Sequence, residues 1–245
     1  SKEDKFADLN IVLGSHLEPD KILQFNKKKS IIVNLERLES LNGTKENDCY
    51  IKILATFQYI DFSRANVEYC ERENISQPLY LYRPWFEEKW KRVINEIEKT
   101  WDVCLIGSMT PRRQAIIEQL EQAGLSVTSR FDCYSYERDE VLSKSKICIN
   151  IHAYEGNKTA EIWRLNYVAA NQVRIISETC DMEAGEEEIA EGLTQASYEN
   201  LTECVINCIH KETALEREKH ANVFYEIVKM HELRHENLQY PSNIS

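Results

Sequence analysis

The stretch that most constrains the fold runs from Ser145 to Glu178: SKICINIHAYEGNKTAEIWRLNYVAANQVRIISE. Ile147–Ile151 is almost wholly apolar, the pattern of a parallel strand buried on both faces. A polar loop follows, carrying His152, Tyr154, Glu155, Gly156 and Asn157. The next segment keeps Ile162, Leu165, Val168 and Ala169 on one side, at helical spacing, and offers Glu161, Arg164 and Asn171 on others. A second apolar strand, Val173–Ser177, ends in Glu178. Strand, loop, helix and strand in this order form a βαβ unit. Polar side chains then collect beyond the carboxyl ends of two buried strands, where open α/β sheets take their ligands.

The same alternation extends over the whole chain of 245 residues. In the first part, strands are expected over Leu9–Gly14, Ser30–Leu35, Tyr59–Asp61 and Pro78–Tyr82, with helices over Asn47–Phe57 and Ser63–Glu73. Ser63 is a good N-cap for the second helix. Tyr82-Arg83-Pro84 interrupts the pattern, and a helix over Trp85–Lys99 leads into a fresh strand, Asp102–Gly107. The boundaries read as 1–84 for a first domain, 85–100 for a connecting helix and 101–245 for a second domain with terminal helices. In the second domain a helix over Pro111–Ala123 starts with Pro in its first turn and stops at Gly124. Strand Ser126–Arg130, helix 137–144, strand 146–151, helix 158–171 and strand 173–177 follow. Helices near 197–211 and 213–234 close the chain. This is an α/β chain with parallel sheets.

Composition narrows the function. No apolar run approaches the ~20 residues that span a bilayer, and the polar start SKEDKFADLN does not read as a signal peptide. Eight cysteines without a Cys-x-x-Cys pair, several inside apolar segments, read as reduced thiols and a cytoplasmic location. The formal charge is −11, and residues 101–245 carry most of it. No basic stripe of the kind a nucleic-acid binder shows is present. Yet five of the eight arginines after residue 100 lie between Arg112 and Arg164, among the strand-end loops. A small anionic ligand accounts for that clustering better than a polyanion does.

Gly107-Ser108-Met109-Thr110-Pro111-Arg112-Arg113 joins a buried strand to a helix. A helix N-terminus offers free N–H groups and partial positive charge to a phosphate. Gly107 allows close approach, and Arg112 or Arg113 adds charge-assisted hydrogen bonds. The plainer reading is an ordinary βα turn with two surface arginines. Likewise Glu161 and Arg164 fit either an anion site or an exposed i,i+3 ion pair. Glu178, closing a buried strand, is placed to accept from ribose hydroxyls. Of Phe131, Tyr134 and Tyr136, one aromatic, Tyr134, is a candidate for stacking on a base, and the others pack under their loop. His16 and Asp61 each follow a strand of the first domain and are candidates for a general base; a buried histidine and a capping aspartate are the alternatives. His231-Glu232-Leu233-Arg234-His235 matches H-E-x-x-H, but a catalytic zinc needs a third protein ligand that the last ten residues do not offer cleanly. It reads as a polar terminal helix, and Cys204 and Cys208 as core.

Taken together, Asp102–Ser108, Arg112-Arg113, Ser143–Asn150, His152–Glu155, Arg164–Asn171 and Ile175–Glu178 resemble the C-terminal half of GT-B-type glycosyltransferases, in the group called family 1-like or 4-like. Asn10–His16, Ile31–Glu36 and Asp61–Asn66 are similar to segments of the N-terminal half of the same proteins. The resemblance implies two Rossmann-like domains facing across a cleft, the N-terminal one reduced. It implies transfer of a sugar from a nucleoside diphosphate donor to a hydroxyl acceptor such as a glycan, without cofactor or metal. Gly107, Ser108 and Arg112 or Arg113 would meet the diphosphate. His152, Tyr154, Glu155, Arg164 and Asn171 would surround sugar and phosphate, and Glu178 would meet the ribose. The two glutamates that retaining members space seven apart are represented by Glu155 and Glu161, six apart, which leaves inversion or retention open. A non-catalytic nucleotide- or sugar-binding protein, or a partner subunit of this fold, is the alternative.

Overall fold

The computed structural model describes residues 8–13, 18–38, 45–81, 98–131, 133–156, 159–182 and 187–236, with the side chains of 45–47, 80–81 and 231–236 outside that description. The chain divides into two compact units, Ser1–Pro84 and Trp85–Ser245.

In the first unit, strands β1 (Asn10–Val12), β2 (Ser30–Val33), β3 (Gln58–Asp61) and β4 (Tyr80–Leu81) form one parallel sheet in the order β1-β2-β3-β4. Helix α1 (Pro19–Ile22) and a 3-10 turn at Lys27–Lys29 connect the first pair; α2 (Lys45–Thr56) and α3 (Arg64–Arg72) connect the others. Ser63 caps α3 as its sequence predicts, accepting from the Asn66 amide at 3.2 Å. The core gathers Ile22, Ile32, Ile53, Leu54, Tyr50 and Tyr59. Because strand order follows chain order throughout, the described strands of this sheet contain no point where the winding reverses. The helix expected over Trp85–Lys99 lies almost wholly outside the described residues.

The second unit is a five-stranded parallel sheet of β5 (Trp101–Ile106), β6 (Val127–Arg130), β7 (Ser145–Asn150), β8 (Arg174–Glu178) and β9 (Thr194–Ala196), ordered β6-β5-β7-β8-β9. Its helices are α4 (Pro111–Gln122), α5 (Tyr136–Ser143), α6 (Ile162–Ala170), α7 (Glu187–Gly192), α8 (Tyr198–Lys211) and α9 (Ala214–Glu236). Alternating side chains build a core on each face. Val103, Leu105, Ile147, Ile149 and Ile176 pack with α4 and α8. Cys104, Cys148 and Ile175 pack with α5, α6 and α9 on the other face. Burial on both faces is why the central strands read as nearly continuous apolar runs. Cys204 and Cys208 lie against the first of these cores, as expected, and all eight cysteines are free thiols.

One expectation requires correction, and one strand was not anticipated. Helix α6 begins at Ile162 rather than near 158, because Thr159 forms a β-bridge with Asp181 and the Ala160 amide donates to the Asp181 carbonyl at 3.1 Å. Strand β9, only Thr-Gln-Ala, has no apolar pattern to announce it; its backbone pairing with β8 creates it. No helix among the described residues is long and apolar enough to cross a membrane.

Candidate functional site at the switch point of the second sheet

Strand order reverses between β5 and β7: the chain moves outward from β5 to β6, then returns to the other side of β5. The loops leaving β5 and β7 therefore part in opposite directions and open a crevice at the carboxyl edge, the position where doubly wound sheets bind ligands. A cavity of about 1160 Å³ lies at that edge, lined from the ends of four strands by Met109–Arg112, Ala153–Gly156, Glu178, Thr179, Asp181 and Ser197–Glu199.

The loop after β5 is pinned from below. Gly107 has φ +143°, and a Cβ there would stand 2.9 Å from Arg164 Nη2 and 3.2 Å from Arg113 Nη1. Two guanidiniums thus occupy the space a side chain would need, and the conformation itself disfavours any other residue. Thr110 caps α4, its hydroxyl accepting from the Arg113 amide at 3.3 Å. Pro111 has no N–H, and the Met109, Thr110 and Arg112 amides have no hydrogen-bond acceptor among the described residues. Those amides and the helix dipole make the start of α4 an anion-attracting end.

The three arginines divide their work. Arg113 is only 2% exposed. Its Nε and Nη2 donate to the Ile151 carbonyl at 2.8 and 2.6 Å, its Nη1 to the Ser108 carbonyl at 2.8 Å, and its Nη2 to Glu161 at 3.1 Å. It therefore ties the two loops of the crevice together, which corrects the expectation that it reaches a diphosphate. Burial pulls its pKa down, and Glu161 opposes that shift. Arg164 donates to Asn150 Oδ1 at 2.7 Å and pairs with Glu161, its guanidinium lying against Gly107. Arg112 grips both oxygens of Glu178, donates to the His152 carbonyl at 3.1 Å, and stacks 3.8 Å over the ring of Tyr198. Three arginines face two carboxylates in this cluster, and Glu199 adds a third carboxylate near Arg112.

Glu178 is buried and also accepts from the His152 amide at 3.0 Å. A carboxylate offers about four lone-pair positions, so one remains for a ligand. His152 is 1% exposed, and its Nε2 lies 3.1 Å from the Thr179 carbonyl. A carbonyl only accepts, so Nε2 donates in this contact, and the buried Nδ1 has no partner among the described residues. Tyr154 and Glu155 are exposed on the cavity wall. Besides the Arg112–Glu178 pair, Glu155, Asp181 and Glu199 line the cavity. That acidic rim suits sugar hydroxyls, whereas an anion is accommodated only at the α4 end.

The remaining expectations fare differently. Ser108 lies in the loop and accepts from Arg113. Tyr134 is 70% exposed and is not among the cavity-lining residues. Asn171 is fully buried at the other end of α6, where its side chain donates to the Tyr167 carbonyl at 2.9 Å. A helix antiparallel to the strands carries its C-terminus to the opposite edge of the sheet, so Asn171 closes the helix instead of meeting a ligand. Asp61 is also fully buried. Its Oδ1 accepts from the Phe62 and Ser63 amides at 2.7 and 3.0 Å and from Asn66 Nδ2 at 3.0 Å; its Oδ2 accepts from Asn34 Nδ2 at 2.7 Å. Burial raises its pKa, against the lowering effect of these donors. Such a carboxyl organises the ends of β2 and β3, and an incoming acceptor does not reach it, which corrects its reading as an accessible base. His16 lies outside the described residues, as do the side chains of His231 and His235. Sequence reading missed Tyr198 and Asn150. A lone Tyr after an unrecognised strand gives no signal, and Asn150 reads only as one polar residue inside an apolar run.

No protein-family model matches the chain. Two proteins of Acanthamoeba polyphaga mimivirus are similar to it: L140, 30% identical over 156 residues, 63% of this chain and 49% of L140; and L137, 24% identical over 151 residues, 61% of this chain and 20% of L137. The chain thus spans about half the length of the first and a fifth of the second. Among solved structures, OtsA superposes with a TM-score of 0.51 over 94% of this chain and 71% of its own, at 10% identity. Two others superpose more loosely: a DNA-modifying β-glucosyltransferase solved with and without uridine diphosphoglucose (TM-score 0.45, 12% identity, 88% of this chain and 80% of its own) and AviGT4, a glycosyltransferase of avilamycin A biosynthesis (TM-score 0.47, 10% identity, 89% and 76%). At such identities the likeness to OtsA is one of fold: this chain is an α/β protein with parallel, Rossmann-like sheets.

Proposed function

We propose that the second unit binds a nucleoside diphosphate-sugar at its switch point and that the protein transfers the sugar to a hydroxyl acceptor. One observation carries this reading. The unpaired amides at the start of α4, the Arg112–Glu178 pair and the carboxylate-lined cavity converge on the carboxyl edge between β5 and β7. The diphosphate would sit at the α4 amides, where the helix dipole and the guanidiniums of the arginine cluster stabilise the charge that grows as the sugar leaves. Arg164, held against Gly107, adds its charge from beneath the loop. The remaining lone pair of Glu178 accepts a ribose hydroxyl, and Glu155 and Asp181 accept from the sugar. Placed this way, Arg112 positions Glu178, and Arg113 positions both loops without touching the donor.

A second reading, a non-catalytic nucleotide- or sugar-binding protein or partner subunit, draws its support from Asp61, whose burial removes it as an acceptor-facing base. Thermal-shift measurements with UDP, GDP, CMP and their sugars, followed by assay of donor hydrolysis, separate the two. Stabilisation with slow hydrolysis that Arg164→Ala abolishes, while the variant stays folded, supports transfer. Stabilisation without turnover supports the binder. No stabilisation by any of these ligands refutes both.

A further inference from the structure

The C-terminal helix α9 presents a stripe that no other described element covers. Leu215 is 74% exposed, Val223 48% and Met230 46%, and Leu215, Glu218, Lys219, Asn222, Val223, Glu226 and Ile227 line a shallow groove along the helix. At 100° per residue, Leu215, Lys219, Asn222, Val223, Glu226 and Met230 fall within an arc of about 100° on one face, with Glu218 and Ile227 on its two flanks. The opposite face is fully used: Ala221, Phe224 and Val228 are buried, the last two in the core shared with α6.

We propose that this stripe is a self-association surface and that its occupant is α9 of a second copy of the chain, docked antiparallel. The argument is the order of charge and apolar residues along the helix. A two-fold axis passing beside the midpoint between Asn222 and Val223 brings Leu215 opposite Met230 of the second copy, Lys219 opposite Glu226, and Asn222 opposite Val223. Each contact then occurs twice, as an isologous interface requires. Both apolar ends find an apolar partner, and the two charges inside the arc find their opposite, while Glu218 stays exposed on the flank. Lys219 and Glu226 form no ion pair among the described residues of their own chain, so the pairing competes with nothing inside the monomer. A parallel docking would instead set like against like at each position. The seam covers sixteen residues, about 24 Å of helix, and is smaller than the roughly 1,600 Å² of a standard interface. The dimer is therefore weak and concentration-dependent.

Sedimentation velocity over a concentration series tests this directly. Wild type is expected to pass from monomer to dimer as concentration rises. Lys219→Glu and Glu226→Lys each place two like-charge contacts in the seam and are expected to weaken dimerisation about tenfold. The double variant K219E/E226K restores the charge pattern and is expected to return to the wild-type constant. Helicity and melting temperature of all three report that the monomer is intact. A wild type that stays monomeric throughout overturns the proposal. So does a dimer indifferent to either single reversal, or one that the double variant fails to restore.

Discussion

Arg112 and Glu178 stand 66 residues apart in the chain and meet through two hydrogen bonds, Nη1 to Oε2 at 2.6 Å and Nη2 to Oε1. The pair joins the first turn of α4 to the end of β8, across β7. Its side chains are 18% and 10% exposed, so neither charge is well solvated alone. Arg112→Ala leaves a buried carboxylate without its counter-charge and is expected to cost about 2–3 kcal/mol in urea unfolding. Removing both, Arg112→Ala with Glu178→Ala, is expected to cost less than the sum of the single changes. A coupling energy near zero would show that the two side chains are held independently.

Gly107→Ala meets a strained φ and the Arg164 guanidinium at 2.9 Å. It is expected to lower stability by about 1–3 kcal/mol. Because Arg164 Nη2 is the nearest obstacle, the penalty should shrink in an Arg164→Ala background, leaving the backbone strain and the contact with Arg113. Denaturation of the four proteins in the cycle reads this, and equal penalties in both backgrounds would remove Arg164 as the cause.

Arg113 serves three acceptors on two loops from a fully buried position. A lysine has one ammonium on a flexible stem and cannot reach all three. Arg113→Lys is expected to destabilise by about 2–4 kcal/mol, since carbonyls at Ser108 or Ile151 lose their donor in a dry site. The same substitution at Arg112, nearer the cavity, should cost less; the reverse ranking would reassign the brace.

Asp61 supplies a pH dependence. Its folded pKa is raised above the ordinary 3.8 by burial, so its contribution to folding is greatest below that ordinary value and falls as pH rises through the folded pKa. Asp61→Asn does not titrate, so the advantage of wild type over this variant should diminish between pH 4 and neutrality. It should not vanish at neutral pH. The new amide would face Asn34 Nδ2 donor to donor, and Asn34 is held in orientation by Tyr50 and the Glu36 amide. An advantage that grows with pH would mean that the four donors outweigh burial.

Particular elements explain what could be read early. Ile147–Ile151 and Val173–Ser177 declare themselves because a strand buried on both faces is apolar at most of its positions. The start of α4 shows in Thr110-Pro111, a cap and a residue pre-set for the first turn. Gly107 stands out as a glycine between a strand and a helix, although its reason, two guanidiniums behind it, lies in residues 113 and 164. Strand β9 escaped notice because three half-exposed residues acquire a strand only from their neighbour. Asn171 was misplaced because helical spacing gives the face of a residue, while its end of the helix decides which edge of the sheet it reaches.

Local pattern therefore determined the succession of strands and helices, the loops that close on the carboxyl edge, and the concentration of arginines there. It did so because burial periodicity, capping and turn chemistry act over a few residues. Which arginine braces and which faces the cavity, which carboxylate keeps a free lone pair, and whether Asp61 is a base or a strut were decided by tertiary structure alone. Those roles depend on partners 27 to 66 residues away and on how much water each charge retains, and neither is written in the residues beside them.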